Sequence, residues 1–320
     1  MDLSLSLALE KIAAVYNLDK LLQQHNDYPQ KFSTSIANDN DKDLHSRTTK
    51  KLNLSQIVVD YYKQSEIGYR KFHSSQGAIH MAINDDGQFD SSGYYTQPKL
   101  VAQEVETLQA KMVLEVGCGK GFNSHFLASQ FPNVQFLGID LTPVHVKLAN
   151  QEAIAPNLQF RVGDFNRTNI AKNSVSIVFG VECLCHTANV STVLAELYRV
   201  LRPGGRLVIF DGYRCLGFDQ QSHDLQVASQ LVEIGVAVPK GFRAVQTWLN
   251  TARDVGFETI LCNDLTVGIV PTLKRLQNLS YRFFRKPLRA KLINFLTSSY
   301  LNRNSIAGLL MPFAFNPDNG

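Results

Sequence analysis

Residues 180–186 read GVECLCH and set a carboxylate (Glu182), two thiols (Cys183 and Cys185) and an imidazole (His186) side by side. Three chemistries use such a set. Thiolates and imidazole hold zinc, but a structural zinc site takes two spaced ligand pairs and the sequence supplies no second pair. No metal site is therefore expected. A thiol beside an imidazole is a nucleophile with its base. A carboxylate and an imidazole at a pocket rim can steady positive charge and take up a proton. Cys215 and Cys262 stand alone in or beside apolar runs and read as packing residues.

A second group lies upstream. GCGKGF (117–122) follows an apolar run and is preceded by Glu115. Glycines let backbone approach a ligand closely, and a helix N-terminus behind them offers unpaired N–H groups. A phosphate-binding P-loop needs Ser or Thr after Gly-Lys, where this chain has Gly121. The dinucleotide fingerprint needs a sixth-position glycine, where this chain has Phe122, which counts against a nicotinamide oxidoreductase. Further along, Asp140 closes the run VQFLGID and Asp164 closes LQFRVGD. Turn chemistry at strand ends accounts for either acid taken alone.

These residues need a scaffold that brings strand ends together. KMVLEVG, VQFLGID, LQFRVGD, SVSIVFG and GRLVIFD are short apolar runs separated by helix candidates or loops. That alternation predicts an α/β fold: a Rossmann-like, doubly wound, mostly parallel sheet with helices on both faces. Ligands in such sheets bind outside the carboxyl ends of the strands, and every chemistry-bearing group above falls at one. FETILCND (257–264) reads as a sixth strand. Helices are expected over 3–24, from Ser55, over 239–257 with Gly256 as the stop, and through most of 270–312. Pro271, Pro287 and Pro312 are expected to interrupt the last of these. The polar stretch 25–51 reads as a flexible linker. The chain therefore divides into an N-terminal helix and linker (1–54), a helical lid segment (55–104), a cofactor-binding core (105–265) and a basic helical C-terminal segment (266–320).

Composition bounds the setting. The chain has 320 residues, of which 44% are hydrophobic and 19% charged, enough for a full core and one or two domains. No apolar run reaches the roughly 18 residues of a membrane span. The start carries Asp2 and no basic region, so no signal peptide is expected. Five cysteines without framework spacing point to a reducing compartment, and a cytoplasmic location is expected. Charge is uneven: no acid lies between Asp264 and Asp318, while eight basic residues do. That segment reads either as a solvated helix face or as a contact for an anionic surface. Over 274–303 it mixes basic and apolar residues as an interfacial helix would, so peripheral membrane contact is one expectation.

With VLEVGCGKG (113–121), GIDLTP (138–143), VGDF (162–165) and LRPGGRLVIFD (201–211) in this order, the chain resembles the class I S-adenosylmethionine-dependent methyltransferases. The resemblance covers roughly residues 105–262. It implies S-adenosylmethionine as cofactor. Gly117 and Gly119 would lie under its methionine and ribose portion, and Glu115 would order the loop. Asp140 would hold the ribose hydroxyls with Leu141 beside it, and Asp164 with Phe165 would frame the adenine. Glu182, Cys185 and His186 resemble the acid-x-x-Cys-His segment of the sterol C-methyltransferases, in a branch that includes the tocopherol and phosphoethanolamine enzymes. That likeness implies Glu182 and His186 as catalytic residues. The segment DYYKQSEIGYRKFHSSQGAIHMAI (60–83) is similar to the lid of that branch, with Tyr61, Tyr62 and Tyr69 lining the acceptor pocket. Motif one departs from the family in Glu115, Lys120 and Phe122.

The leading expectation is C-methylation of a lipophilic, isoprenoid-like or sterol-like small molecule. The alternatives are N- or O-methylation of a polar metabolite, and a cofactor-binding interaction module without catalysis. Nucleic acid is not expected as a partner, because no Asn/Asp-Pro-Pro-aromatic motif follows the fourth strand. The family's sheet ends in a seventh strand; here either a segment near 306–315 supplies it or it is missing.

Overall fold

The computed structural model describes residues 3–23, 54–238, 240–297 and 299–316. The expected linker at 25–51 lies outside them. Five strands build one sheet: β1 (Met112–Val116), β2 (Gln135–Asp140), β3 (Leu158–Val162), β4 (Val175–Val181) and β5 (Leu201–Phe210). All neighbours run parallel, in the order β3-β2-β1-β4-β5. Ahead of the sheet come α1 (Leu5–Ala13), α2 (Leu54–Gly68), which runs on as a π-helical turn at Tyr69–His73, and α3 (Thr96–Thr107). Within it lie α4 (Phe122–Gln130), α5 (Pro143–Glu152) and α6 (Val190–Val200). After it come α7 (His223–Gly235), α8 (Val245–Val255), α9 (Thr266–Phe284), α10 (Pro287–Leu296) and α11 (Ser299–Ala314).

A strand sends alternate side chains to opposite faces, and a parallel sheet is covered on both. Val113, Ile177, Phe179 and Val181 pack against Val101 and Val105 of α3, Leu127 of α4 and Val146 of α5. Leu114, Val116 and Val178 pack the other way, against Val193, Leu194 and Leu197 of α6 and Trp248 of α8. The helices present these residues at three- and four-residue spacing, so each buries one stripe. α6 is also started locally, by Asn189 accepting a hydrogen bond from the Thr192 N–H at 3.1 Å. α8 is stopped by Gly256 at φ 115°, as expected.

A third apolar cluster is helical. Ala8 and Ile12 of α1, Leu231 and Val232 of α7, Leu273 and Phe284 of α9, and Leu309 and Leu310 of α11 meet in it. α1 therefore packs with the C-terminal helices, although 1–54 and 266–320 are far apart in sequence. Small residues set the crossing distance: a methyl added at Gly235 of α7 would sit 2.7 Å from the Ala307 Cβ of α11.

Several expectations are corrected. Residues 257–264 form neither strand nor helix. Ile260 and Leu261 there are 71% and 74% exposed, and no strand among the described residues supplies a ladder. Cys262 is exposed in the same segment, so it is not a packing residue. Residues 306–314 lie in α11, so that segment supplies no strand, and among the described residues the sheet ends at β5. Pro287 opens α10 at its first turn, but Pro271 and Pro312 lie inside α9 and α11. Burial of Pro271 and its neighbours Thr272 and Leu273 outweighs the lost backbone bond.

The chain leaving β5 is tied to α7 by an ion pair. The Arg214 Nη2 donates to Oε1 of fully buried Glu233 at 2.6 Å, and the Phe242 N–H donates to the same oxygen at 2.9 Å. Removing the cation leaves a buried carboxylate short of its partner. We expect Arg214→Met to lower unfolding stability by about 3 kcal/mol, as measured by urea denaturation.

Candidate active site

β1 and β4 are neighbours in space but not in sequence, so the winding of the sheet reverses between them. A crevice opens there at the carboxyl ends. Gly117 follows β1 and Cys183 follows β4, and the two abut. Gly117 has φ 64°, and any Cβ on it would overlap the Cβ of Cys183. The Cys183 thiol donates to the Val116 carbonyl at 3.1 Å. Glycine is therefore required at 117 by both backbone and space.

Acids at the strand ends tie the loops down. Asp140 accepts from the Gly119 N–H at 2.9 Å and from the Thr142 N–H at 2.7 Å, joining the glycine loop to the end of β2. Glu115 accepts from Asn123 Nδ2 at 2.9 Å and from Ser124 Oγ at 2.5 Å, joining β1 to the first turn of α4. Asp211, after β5, accepts from the Cys185 and Gly212 N–H groups, both at 2.9 Å. Glu182 sits at φ 50°, a left-handed conformation that a glutamate seldom adopts. Its N–H donates to the Phe210 carbonyl at 2.7 Å, and its carboxyl accepts from the Met81 N–H at 2.7 Å.

Met81 belongs to a segment laid across the crevice. Gln97 Nε2 donates to the Met81 carbonyl at 2.8 Å, and Thr272 Oγ1 of α9 donates to the Ala82 carbonyl at 2.9 Å. His73 and His80 brace the same region, each through Nε2 to a carbonyl, of His80 and Tyr94 respectively. These bonds fix the protonated nitrogen of both rings. Burial pushes both pKa values down to about 4, so both rings are neutral at physiological pH.

From α2, three tyrosines face the crevice. The Tyr61 hydroxyl donates to Asn304 Oδ1 of α11 at 2.8 Å and lies 2.7 Å from the Tyr69 hydroxyl. The Tyr62 hydroxyl lies 3.0 Å from His186 Nε2. His186 Nδ1 lies 2.9 Å from the Ala237 carbonyl, which can only accept, so the proton is on Nδ1 and Nε2 accepts from Tyr62. Burial lowers the His186 pKa.

All of this surrounds one cavity of about 1080 Å³. Glu115, Gly117, Gly119, Asp140, Leu141 and Phe165 border it, as do Glu182, His186, Tyr61, Tyr62 and Tyr69. Asp164 does not, although Gly163 and Phe165 on either side of it do. One Asp164 oxygen accepts from both the backbone N–H and the Nδ2 of Asn166, which is turn chemistry. Away from the sheet the cavity runs between the C-terminal helices, past Leu273, Phe283 and Met311.

Residues 114–209 match the family model described as a methyltransferase domain. Sterol 24-C-methyltransferase of Saccharomyces cerevisiae is 23% identical over 86% of this chain and 71% of its own length. Phosphoethanolamine N-methyltransferase 3 of Arabidopsis thaliana is 24% identical over 70% of this chain and 46% of its own. The solved geranyl diphosphate C-methyltransferase of Streptomyces coelicolor shares the fold, with a TM-score of 0.54 at 16% identity over 81% of this chain and 92% of that one. The chain is a class I S-adenosylmethionine-dependent methyltransferase. Its relatives include the sterol C-methyltransferases, and S-adenosylmethionine is its cofactor.

The methyltransferase cavity suits that cofactor on its own terms. Gln97 Oε1 and Asn123 Oδ1 are buried acceptors without a protein partner among the described residues, and both residues border the cavity. An ammonium group supplies the donors they lack. α4 starts at Gly121, in the left-handed region, with no side chain capping its N-terminus, which leaves N–H groups for a carboxylate. The volume slightly exceeds the usual range for one drug-sized ligand, leaving room for cofactor and acceptor together. Sequence reasoning missed Gln97 and Met81, because a lone glutamine and a backbone amide carry no motif. Asp211 stood in a motif already quoted, but only its turn was used. Among the described residues no group of three or more His, Cys, Asp or Glu is placed to hold a metal ion.

Burial raises three carboxyls in the methyltransferase: Glu182 to about 8, Glu115 to about 7 and Asp211 to about 6. Met81's bond opposes the shift at Glu182, and nearby Asp211 adds to it. Groups raised in the folded state add stability that is full at low pH and is lost as pH climbs through the folded pKa. His73 and His80 act in the opposite sense, but only below their ordinary value of 6.5. Between about pH 7 and 8.5 the carboxylates therefore decide the slope. We expect the melting temperature of the cofactor-free protein to fall over that window, and Glu182→Gln to flatten the fall. Differential scanning fluorimetry across buffers checks this.

Proposed function

We propose that this methyltransferase places a methyl group on a carbon of a lipophilic, isoprenoid-like or sterol-like acceptor. The observation that carries the reading is the cavity, which continues from the glycine loop past Glu182 and His186 into an apolar space between the C-terminal helices. The kinship with sterol and geranyl diphosphate C-methyltransferases supports it.

When bound, S-adenosylmethionine supplies an electrophilic methyl group on a sulfonium. Asp140 would hold the ribose hydroxyls with the acceptor capacity its two backbone bonds leave over. Phe165 would pack on the adenine and Leu141 would cover the ribose side, with Asp164 shaping the turn that carries Phe165. Gly117 and Gly119 let the backbone run close beneath the cofactor, with Glu115 holding the loop in shape. Gln97 and Asn123 would accept from the amino group.

Glu182 would steady positive charge in the cavity. A cation beside a buried carboxyl favours its ionised form, so the value of about 8 falls when the site is filled. Tyr61, Tyr62 and Tyr69 would hold the acceptor against their ring faces, which also favour cations. The acceptor carbon must lose a proton after methylation. Tyr62 Oη can take it while its own proton moves along the existing hydrogen bond to His186 Nε2. Water must be kept out of this step, and the segment around Met81 covers the crevice for that purpose. The lid (55–104), the core (105–265) and the basic C-terminal segment (266–320) are the working units of this reading, the last also contacting membrane peripherally through 274–303. The described cysteines, none in a disulfide, fit a reducing, cytoplasmic setting.

Transfer of labelled methyl from S-adenosylmethionine into a cell extract, then partition between organic solvent and water, tests the acceptor class. Label in the organic phase is expected. Label in the water phase would favour a polar metabolite, the activity named for the phosphoethanolamine relatives. Two variants test the residues. Asp140→Ala should abolish cofactor binding in calorimetry, and unchanged affinity would remove Asp140 from the site. Glu182→Gln should lower kcat by about 100-fold with cofactor affinity nearly intact. Wild-type kcat/KM should rise toward about pH 8 as Glu182 of the free enzyme ionises, and the variant should lose that limb.

A further inference from the structure

The outward face of α10 plays no part in the chemistry above. Its inward side is ordinary: Ala290 is fully buried, and Ile293 and Asn294 are half-buried. Asn294 Oδ1 accepts from Tyr16 Oη at 3.3 Å and from Asn302 Nδ2 at 3.2 Å, which pins the helix to its neighbours. The outward side breaks the usual rule for a surface helix. Leu288 is 85% exposed, Leu292 58% and Phe295 85%. At 3.6 residues per turn these three fall within about 60° of one another, opposite Ala290 and Ile293. Lys291 flanks the stripe on one side. Arg289 flanks it on the other, beyond Leu296, which is itself 69% exposed.

Charge then selects the partner. Arg285 and Lys286 precede the helix, and no acid occurs between Asp264 and Asp318. Among the described residues no acidic side chain pairs with Arg285, Lys286, Arg289 or Lys291. An apolar stripe with cations on both flanks suits a lipid surface. The stripe enters the acyl boundary while the long basic side chains reach back to anionic headgroups. A second copy fits badly, because a two-fold interface over this face sets cation against cation. The helix also borders the cavity, which Ile293 lines from the inward side and Arg289 from the edge of the outward face.

We propose that α10 docks this methyltransferase flat on an anionic bilayer through Leu288, Leu292 and Phe295, and that the acceptor enters the cavity from that bilayer past Ile293. The second half rests on the lipophilic-acceptor reading; the first half does not. Flotation of the full chain with vesicles of phosphatidylcholine, with and without phosphatidylserine, tests the docking. We expect binding at least about tenfold stronger with the anionic lipid, weakened by salt. We expect the double variant Leu292→Glu/Phe295→Glu to lose it while cofactor affinity by calorimetry stays the same. Both side chains are solvent-facing, so the variant keeps its fold, and circular dichroism confirms that. No binding by wild type, or equal binding by the variant, overturns docking. So does a wild-type dimer in sedimentation that the variant breaks, since a second copy then covers the face. Protection of Lys291 from amine labelling without vesicles also overturns it, since the chain itself then covers the face. For delivery, the variant should turn over acceptor slowly from vesicles and normally from detergent micelles. Equal loss in both overturns delivery, and a water-soluble product overturns it while leaving docking intact.

Discussion

Everything in this molecule hangs on two strand ends that touch. β1 and β4 lie side by side, and the loops leaving them meet at Gly117 and Cys183 with no room for a methyl group between. That contact holds the glycine loop against the GVECLCH turn. The loop presents backbone, the turn presents Glu182 and His186, and Asp140 and Asp211 anchor the pair to the strands on either side. The stretch that raised three chemical possibilities thus resolves by burial. Cys183 is a packing residue with its thiol on a carbonyl, and Cys185 hands its N–H to Asp211. The acid and the imidazole face the cavity, which both cysteines also border.

The sheet was legible because a buried parallel strand has little freedom. Five apolar runs separated by helix signals leave few topologies, and each run is a strand within one to four residues of its sequence bounds. The glycine loop and the acids at strand ends were legible for the same reason, since local backbone geometry dictates them. The 257–264 segment holds an apolar run as a strand should, yet lies exposed, because a strand needs a ladder partner and sequence does not reveal one. Pro271 and Pro312 misled in the opposite direction. Local propensity marks a break, but packing over a long helix overrides it.

The site was half legible. Types and order pointed to Glu182, His186, Asp140 and the tyrosines, and all of them border one cavity. Asp164 stood in the right motif and still turns its carboxyl to Asn166. Gln97 is the reverse case: it carries no motif, but its unpaired oxygen in a buried position marks it once neighbours are known. What sequence hides is long-range partnership, such as a backbone amide at 81 meeting a carboxyl at 182.

That meeting joins two equilibria. The Met81 amide favours the ionised form of Glu182 over the neutral acid. Such preferences are reciprocal, so whatever ionises Glu182 must tighten the hold on Met81 by the same free energy. A cation arriving in the cavity therefore draws the covering segment down, and its departure loosens it. On the reading proposed above, charge and closure form one variable.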